Sequence, residues 1–314
     1  MSATDSSPGV HPTKKDSADI TKGETVVDLA VASTAEASAT SHASKSTPTL
    51  FSLKGQGVLI TGGARGLGLC IAIALLEADA SAVYCLDILP SPNAAEWAKA
   101  EEVAKAKGSK IVYRQLNITD AEAVQQVIGT TYEENDKEGK KVSISRFFGA
   151  AGIQLMCPAV DFKQADFRRV MDINVTGMFL TIQAAAKEMI KRKISGSIAM
   201  TASMSGTVAN KGLACIAYNS SKAALLQMAR CAAAEWGPHG IRINTLSPGY
   251  IRTAMTDALL AERPDFEEEW TRGSMLGRLS TPDEFRGPVL FLLSDASSFM
   301  TGADLMVDGG HTAW

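Results

Sequence analysis

The sequence predicts an α/β protein: one doubly wound parallel sheet of about seven strands with helices packed on both faces. Two observations predict it. Short apolar runs with strand character alternate with longer helical stretches from residue 57 to residue 308. The first of those runs feeds directly into a glycine-rich turn and then a helix, the local signature of a parallel unit with a right-handed crossover.

Gly57 to Thr61 is the first strand, with Val58, Leu59 and Ile60 as its buried run. Thr61-Gly62-Gly63-Ala64-Arg65-Gly66-Leu67-Gly68 forms the turn, and Leu69 to Ala80 reads as helix. Such a turn is a phosphate-binding entry. Glycine lets backbone approach a pyrophosphate, and the helix N-terminus offers free N–H groups at its positive end. The glycines fall as Gly-x-x-x-Gly-x-Gly. A second strand, Ala82 to Leu86, ends at Asp87. A carboxylate about twenty residues beyond the glycine turn hydrogen-bonds the adenosine ribose of NAD and repels the 2′-phosphate of NADP. Arg65 is the contrary hint, since it could approach that phosphate. NAD is favoured and NADP stays possible.

A helix over Ala94 to Lys107 and a strand over Ile111 to Leu116 follow. Asn117 ends that strand on the edge where parallel sheets bind ligands, within reach of an adenine. Thr119 or Asp120 caps the next helix. Tyr132 to Lys141 is highly charged and reads as a surface turn. Val142 to Phe148 is a strand, unusually polar for its Ser143, Ser145 and Arg146. It ends in Gly149-Ala150-Ala151-Gly152, small enough for backbone to pass close to a cofactor. Residues 165–193 form a long amphipathic helix, and Asn174 within its apolar stripe needs a partner. Gly196 to Thr201 is a buried strand leading to Ser203. The helix carrying Tyr218 continues through Leu225 to Ala234. Ile241 to Leu246 is the sixth strand, leading into Pro248-Gly249-Tyr250-Ile251-Arg252-Thr253. Residues 254–280 hold no clear strand and read as a lid or substrate loop. Pro282 to Leu293 is helical, and Asp304 to Asp308 is the last strand.

Residues 1–50 differ from this body of 51–314. They are rich in Ser, Thr and Ala and lack aromatic residues, so they cannot bury enough apolar surface to offset their ordering entropy and are expected to be disordered. A short apolar patch, Val26, Val27, Leu29 and Val31, is their one docking element. A transit peptide is the rival reading, but the segment has no Arg and several acids. The formal charge of −3 gives no reason to expect nucleic acid or an anionic membrane as partner. No apolar run approaches the roughly 20 residues that span a bilayer. The five cysteines include no Cys-x-x-Cys, which reads as reduced, cytoplasmic protein. The four histidines show no metal-ligand spacing, and no metal is expected.

The chemistry centres on Tyr218 and Lys222. Positions i and i+4 share a helix face. A free phenol has a pKa of about 10, and a nearby ammonium favours phenolate. A tyrosine tuned in this way exchanges a proton with an alcohol oxygen near neutral pH.

Taken together, Thr61-Gly62-x-x-x-Gly66-x-Gly68, Asn174, Ser203, Tyr218-x-x-x-Lys222 and Pro248-Gly249 resemble the short-chain dehydrogenase/reductase family, in its order and near its spacing, over roughly residues 53–310. The resemblance implies a Rossmann-type fold and a catalytic tetrad. Tyr218 would be the general acid/base and Ser203 would hydrogen-bond the substrate oxygen. Lys222 would lower the Tyr218 pKa and bind the nicotinamide ribose. Asn174 would hold a proton-relaying water. Gly62, Arg65, Gly66, Leu67, Gly68, Asp87, Asn117, Ala151, Ile251 and Thr253 would contact the dinucleotide. Each has a bland alternative: Ser203 a strand-end cap, Asn174 a satisfied core amide, Thr253 a helix N-cap. Two departures are plain. The family usually has Asn-Asn-Ala-Gly where Gly149-Ala150-Ala151-Gly152 stands, and often aspartate at Asn117. Within the family, the closing Val307 to Trp314 and the leader resemble fungal polyol and ketose enzymes acting on arabinitol, mannitol or sorbose. Such enzymes are commonly homotetramers, through the helices after strands four and five; a dimer is the lesser form.

The sequence thus predicts hydride transfer between NAD(H) and a secondary alcohol or ketone, with a polyol/ketose pair as the first substrate reading. A bulkier biosynthetic ketone is the alternative, which Met156, Met204, Leu213, Met255 and Trp270 favour as an apolar lining. A non-catalytic dinucleotide sensor is the remote reading.

Overall fold

The computed structural model describes residues 45–138, 142–263 and 265–314, with the side chains of 254, 255, 258 and 259 left aside. The expectations for residues 1–44, including the apolar patch at Val26 to Val31, lie outside the described residues. Order is present before Phe51: α1 spans Thr47–Leu50, and Lys45 pairs with Asp295 at 2.6 Å.

Seven parallel strands form one sheet in the order β3-β2-β1-β4-β5-β6-β7. They are β1 (Gln56–Thr61), β2 (Ala82–Asp87), β3 (Lys110–Gln115), β4 (Ser143–Gly149), β5 (Gly196–Thr201), β6 (Ile241–Pro248) and β7 (Asp304–Val307). The helices are α2 (Gly66–Glu77), α3 (Ala94–Lys107), α4 (Ala121–Lys137), α5 (Gln164–Met171), α6 (Met178–Lys191), α7 (Ile216–Trp236), α8 (Ala254–Glu262), α9 (Asp265–Gly273) and α10 (Arg286–Leu293).

The two-residue period of a strand divides the core into two layers. Leu59, Tyr84, Phe147 and Ile198 point to one face, where Ile128 of α4, Ile182 of α6 and Leu225 of α7 cover them. Val58, Ile60, Val83, Phe148 and Ala199 point to the other, under Leu75 of α2, Ala100 of α3 and Leu292 of α10. Continuous apolar strands are what a sheet buried on both faces requires. The strand order reverses between β1 and β4, both of which adjoin the glycine turn. Ligands of such sheets bind at this switch point, beyond the strand C-termini.

Several expectations change. α4 runs to Lys137, so Tyr132 to Lys137 is helix rather than surface turn, because Tyr132 is buried against the sheet. Residues 139–141 lie outside the described residues. Asp120, not Thr119, caps α4 by accepting the Ala123 N–H at 3.0 Å. The helix after the glycine turn begins at Gly66, earlier than Leu69. The long helix over 165–193 is interrupted by a π-helical turn at Asp172–Gly177. Residues 254–280 include two helices, α8 and α9, and a one-residue parallel bridge of Ile251 to Ser280.

The polar residues of β4 are accounted for individually. Ser145 hydrogen-bonds the Gln56 side chain. Arg146 is buried, bonds the Ser145 carbonyl at 3.2 Å and reaches Asp295 at 3.4 Å. Its Nε has no partner among the described residues. Burial holds this guanidinium's pKa below the ordinary arginine value, only partly offset by Asp295. A buried, imperfectly paired charge contributes little to stability. Arg146→Met should therefore leave stability unchanged or raise it by up to about 2 kcal/mol. Asp295→Ala, which strands the guanidinium, should lower it by about 1–3 kcal/mol. Urea unfolding of both variants is the measurement; a large loss in Arg146→Met would contradict the reading.

Candidate active site

The glycine turn is built for close approach. Gly62 has φ +71°, and a Cβ there would lie 2.7 Å from the Ala151 backbone nitrogen. A Cβ on Gly68 would overlap the Gly62 carbonyl oxygen. Gly66 has φ +57° and faces open space. Arg65, the N-cap of α2, makes no capping hydrogen bond, so the turn keeps its anion-binding character. Asp87 stands beside it at the end of β2. Its carboxylate accepts the Ala64 N–H at 3.1 Å and the Leu89 N–H at 3.2 Å. Two backbone donors hold it in place and leave acceptor capacity for a diol. Glu96, which the sequence reading passed over, accepts the Gly66 N–H at 3.2 Å and adds a second carboxylate at the turn. The buried Thr61 hydroxyl oxygen has no partner among the described residues. These features fit a dinucleotide whose ribose hydroxyls and pyrophosphate meet carboxylate and backbone N–H respectively.

Gly149 replaces an amide that the resemblance leads one to expect, and the structure gives the reason. A side chain there would collide with the Met178 thioether, which fills that space from α6. Asn117 lies at the end of β3, but its Oδ1 accepts both the N–H and the hydroxyl of Thr119, at 3.1 and 2.9 Å. Thr253 accepts the Thr256 N–H at 3.3 Å, the helix-cap role. Ile251 is held by its bridge to Ser280.

The four polar groups converge at the C-terminal edge of β4 and β5. Asn174 sits in the π turn with no exposed surface. Its Oδ1 accepts the Ile153 N–H at 2.8 Å, and its Nδ2 donates to the Ile153 carbonyl and to Ser221 Oγ, each at 2.9 Å. Ser221 in turn donates to the Tyr218 carbonyl at 2.7 Å. Lys222, buried, donates to the Thr201 carbonyl at 2.7 Å. Gly152 lies against both: a Cβ there would be 3.2 Å from Asn174 Oδ1 and 3.7 Å from Lys222 Nζ. Ser203 follows β5 and accepts the Ser205 N–H at 3.1 Å, leaving its own proton to donate. The roles of Ser221, Ile153 and Thr201 have no sequence signal beyond the need of a buried amide and ammonium for partners.

The expected lowering of the Tyr218 pKa by Lys222 is not what this geometry provides. Nζ lies over the ring face, 5.5 Å from its centroid, and bonds Thr201. Burial pushes the Tyr218 phenol above its ordinary value, and the hydrogen bond with Ser203 opposes that. Burial brings Lys222 down to about 8.

A family model described as "Enoyl-(Acyl carrier protein) reductase" matches residues 62–312. The chain belongs to the short-chain dehydrogenase/reductase family. It is 46% identical over 269 residues to the short chain dehydrogenases/reductase notP′ of Aspergillus versicolor, covering 84% of this chain and 90% of that one. It is 39% identical to the galactitol 2-dehydrogenase of Rhizobium johnstonii, over 84% of this chain and 98% of the other. The crystal structure of a gluconate 5-dehydrogenase from Burkholderia cenocepacia, in complex with NADP and tartrate, matches with a TM-score of 0.74 at 29% identity, covering 86% of this chain and 100% of that one. This short-chain dehydrogenase/reductase is thus an NAD(P)-dependent oxidoreductase with a Rossmann-type fold. The remote reading as a non-catalytic sensor falls.

Two outcomes follow from the geometry. Tyr218→Phe should reduce kcat by at least about a hundredfold, the usual worth of a general acid/base, with NADH affinity by fluorescence titration within a few-fold of wild type. Lys222 binds fewer protons folded than unfolded between about pH 8 and about 10.4, so its burial penalty is full below that window and disappears as pH rises through it. The stability difference between Lys222→Met and wild type should shift by about 2–3 kcal/mol in favour of wild type across this range, read by urea unfolding near pH 7 and near pH 10. A pH-independent difference would show that Lys222 is not desolvated.

Proposed function

We propose that this enzyme interconverts a secondary alcohol of a polyol and the corresponding ketose, with NAD(H) as the preferred dinucleotide. The observation that carries the substrate class is where the apolar side chains go. Trp270 is buried in the cluster that joins α8 and α9 to the body, with Leu213 packed against it, and Met204 is buried beside Ser203. Trp270 and Met204 are used in packing, whereas Leu213 is only partly buried and also lines the cavity at the start of α7. The Met255 side chain lies outside the described residues. A cavity of about 350 Å³ at the start of α7 is lined by Asn210, Asn219 and Ser220, with Leu213, Ile216 and small residues making up the rest. The galactitol-acting relative supports the same class. Met156, 44% exposed, and Leu213 on the cavity wall are what remain of the case for a bulkier ketone.

In this reading Tyr218 takes the alcohol proton during oxidation and returns it to the carbonyl oxygen during reduction. Ser203 turns its single proton from Tyr218 to that oxygen. Lys222 keeps positive charge next to the phenol and reaches the nicotinamide ribose. Asn174, committed to Ile153 and Ser221, acts mainly by holding the Tyr218 helix against β4, with the relay water a secondary role. A bound nicotinamide supplies the hydride donor or acceptor. Gly62, Gly66, Leu67, Gly68 and Ala151 would hold the pyrophosphate, Ile251 and Thr253 the nicotinamide, and Asn117 the adenine. Asp87 and Glu96 together favour NAD over NADP by repelling a 2′-phosphate, with Arg65 the opposing charge within the turn.

We further infer a cytoplasmic homotetramer. Among the described residues no helix is long and apolar enough to cross a membrane. Phe179 of α6 and Ile216 of α7 are exposed apolar side chains on the helices after strands four and five, where such an interface would form.

The deciding experiment is a panel of polyols, ketoses and bulky ketones assayed with both cofactors on wild type and Asp87→Ala. Polyols and ketoses with NAD(H) should give the highest kcat/KM, and Asp87→Ala should erode the preference for NAD at least tenfold. Exclusive turnover of bulky ketones with NADPH would sink both the substrate and the cofactor assignment.

A further inference from the structure

Tyr250, directly after Pro248-Gly249, makes contacts that neither its chemistry nor its motif explains. Its ring stacks on Trp270 of α9, centroids 4.3 Å apart and planes within 6°. Trp270 stacks on Phe266 of the same helix at 5.7 Å. On its edge, Tyr250 meets His311 of the C-terminal tail at 5.5 Å. Its hydroxyl accepts from Asn210 Nδ2 at 3.1 Å. Asn210 is buried, and its Oδ1 accepts from Asn219 Nδ2 at 3.0 Å. Asn219 also donates to the Val208 carbonyl and accepts from the Cys215 thiol at 3.0 Å. Asn219 is the residue after Tyr218.

An unbroken chain of contacts therefore runs from the catalytic helix to the lid: α7, Asn219, Asn210, Tyr250, Trp270, Phe266. Its polar half is oriented. Asn219 fixes the Asn210 amide by donating to its oxygen, so the Asn210 nitrogen must face Tyr250. Its aromatic half is a third hydrophobic cluster, separate from the two layers of the main core. Leu213, packed against the Trp270 cluster, also joins α9 to the 207–215 segment, and there are further contacts. One is the close approach of Gly212, φ +76°, to Glu269, where any side chain would overlap the carboxylate. Burial raises the Tyr250 phenol to about 12, so it is protonated at any working pH and does not switch.

We propose that Asn210 and Tyr250 form a latch that holds α9 in register with the Tyr218 helix, making Asn210 a positioning residue for substrate under the lid. Neither touches the reacting atoms. The latch acts on how well the closed site is formed and hence on KM more than on kcat. It rests on the reading of residues 254–280 as the substrate-covering segment but not on which alcohol is covered.

The test uses Asn210→Leu, Tyr250→Phe, their double variant, and Asn210→Asp. An aspartate can still accept from Asn219 and can accept from the Tyr250 hydroxyl in reversed polarity. Each disrupting single variant should raise KM for the best alcohol substrate about tenfold, with kcat and NADH affinity within about threefold. The double variant should be no worse than either single one, as for residues acting as a unit. Asn210→Asp should recover KM to within about threefold, and lose that recovery when combined with Tyr250→Phe. Hydrogen exchange of the substrate-free protein gives a second reading that needs no turnover. Residues 265–273 should exchange at least tenfold faster in Tyr250→Phe, with the sheet unchanged. Additive single effects, or unchanged exchange over 265–273, would overturn the latch even where polyols are turned over. Accelerated exchange with no activity on any polyol would uphold the latch and refute the substrate assignment instead.

Discussion

The structure turns on one buried amide. Asn174 satisfies its oxygen and both amide hydrogens within the protein, bonding Ile153 twice and Ser221 once. Those partners lie on the segment after β4 and on α7. A buried amide left short of any of these bonds would lose free energy comparable to a whole hydrogen bond. The arrangement is therefore strongly over-determined, and it sets how far α7 stands from the end of β4. The π turn at Asp172–Gly177 is the local consequence. Its wider hydrogen-bond loop lets the helix carry on while turning Asn174 toward the sheet, and such turns recur at functional sites.

The charges nearby follow from the same burial. Lys222 has surrendered hydration for one carbonyl and the face of a ring, which brings its pKa close to neutrality. Tyr218 moves the other way, upward, for the same reason. The protein thus holds a phenol and an amine whose proton affinities have been driven apart relative to water, the phenol's upward and the amine's downward. Ser203 is the one side chain that favours the phenolate. Reactivity here is maintained against a stability cost, as is usual where proton-transfer groups are desolvated.

Much of this was legible beforehand, for identifiable reasons. The central strands β1, β2, β5 and β6 formed near the expected bounds because burial on both faces favours their mainly apolar runs, whereas the partly buried edge strands β3 and β7 and the polar β4 were placed by their position in the alternation. The glycine turn was legible because only glycine tolerates the Gly62–Ala151 and Gly68–Gly62 approaches. Tyr218 and Lys222 share a turn of one helix, so their proximity is local geometry. The misreadings were of elements whose state depends on distant partners. Tyr132 looked like part of a charged turn, but it is covered by the sheet layer, and Arg192 sits over its ring at 5.0 Å. Residues 254–280 read as a lid or substrate loop without a clear strand; the two helices within it, α8 and α9, pack on a small cluster of their own.

By itself, then, the chain's sequence determined the strand–helix alternation, the glycine turn after β1 and the placing of Tyr218 and Lys222 on one helix face. Each depends on neighbours within a few residues or on a repeating apolar period. Only the folded structure decided that Lys222 bonds Thr201 rather than bearing on the phenol oxygen, that Met178 occupies the space above Gly149, and that Tyr250 joins α9 to Asn210. These contacts connect residues tens of positions apart. Whether a polar group is satisfied, and a charge favoured or opposed, depends on which groups the fold brings within about 3 Å of it.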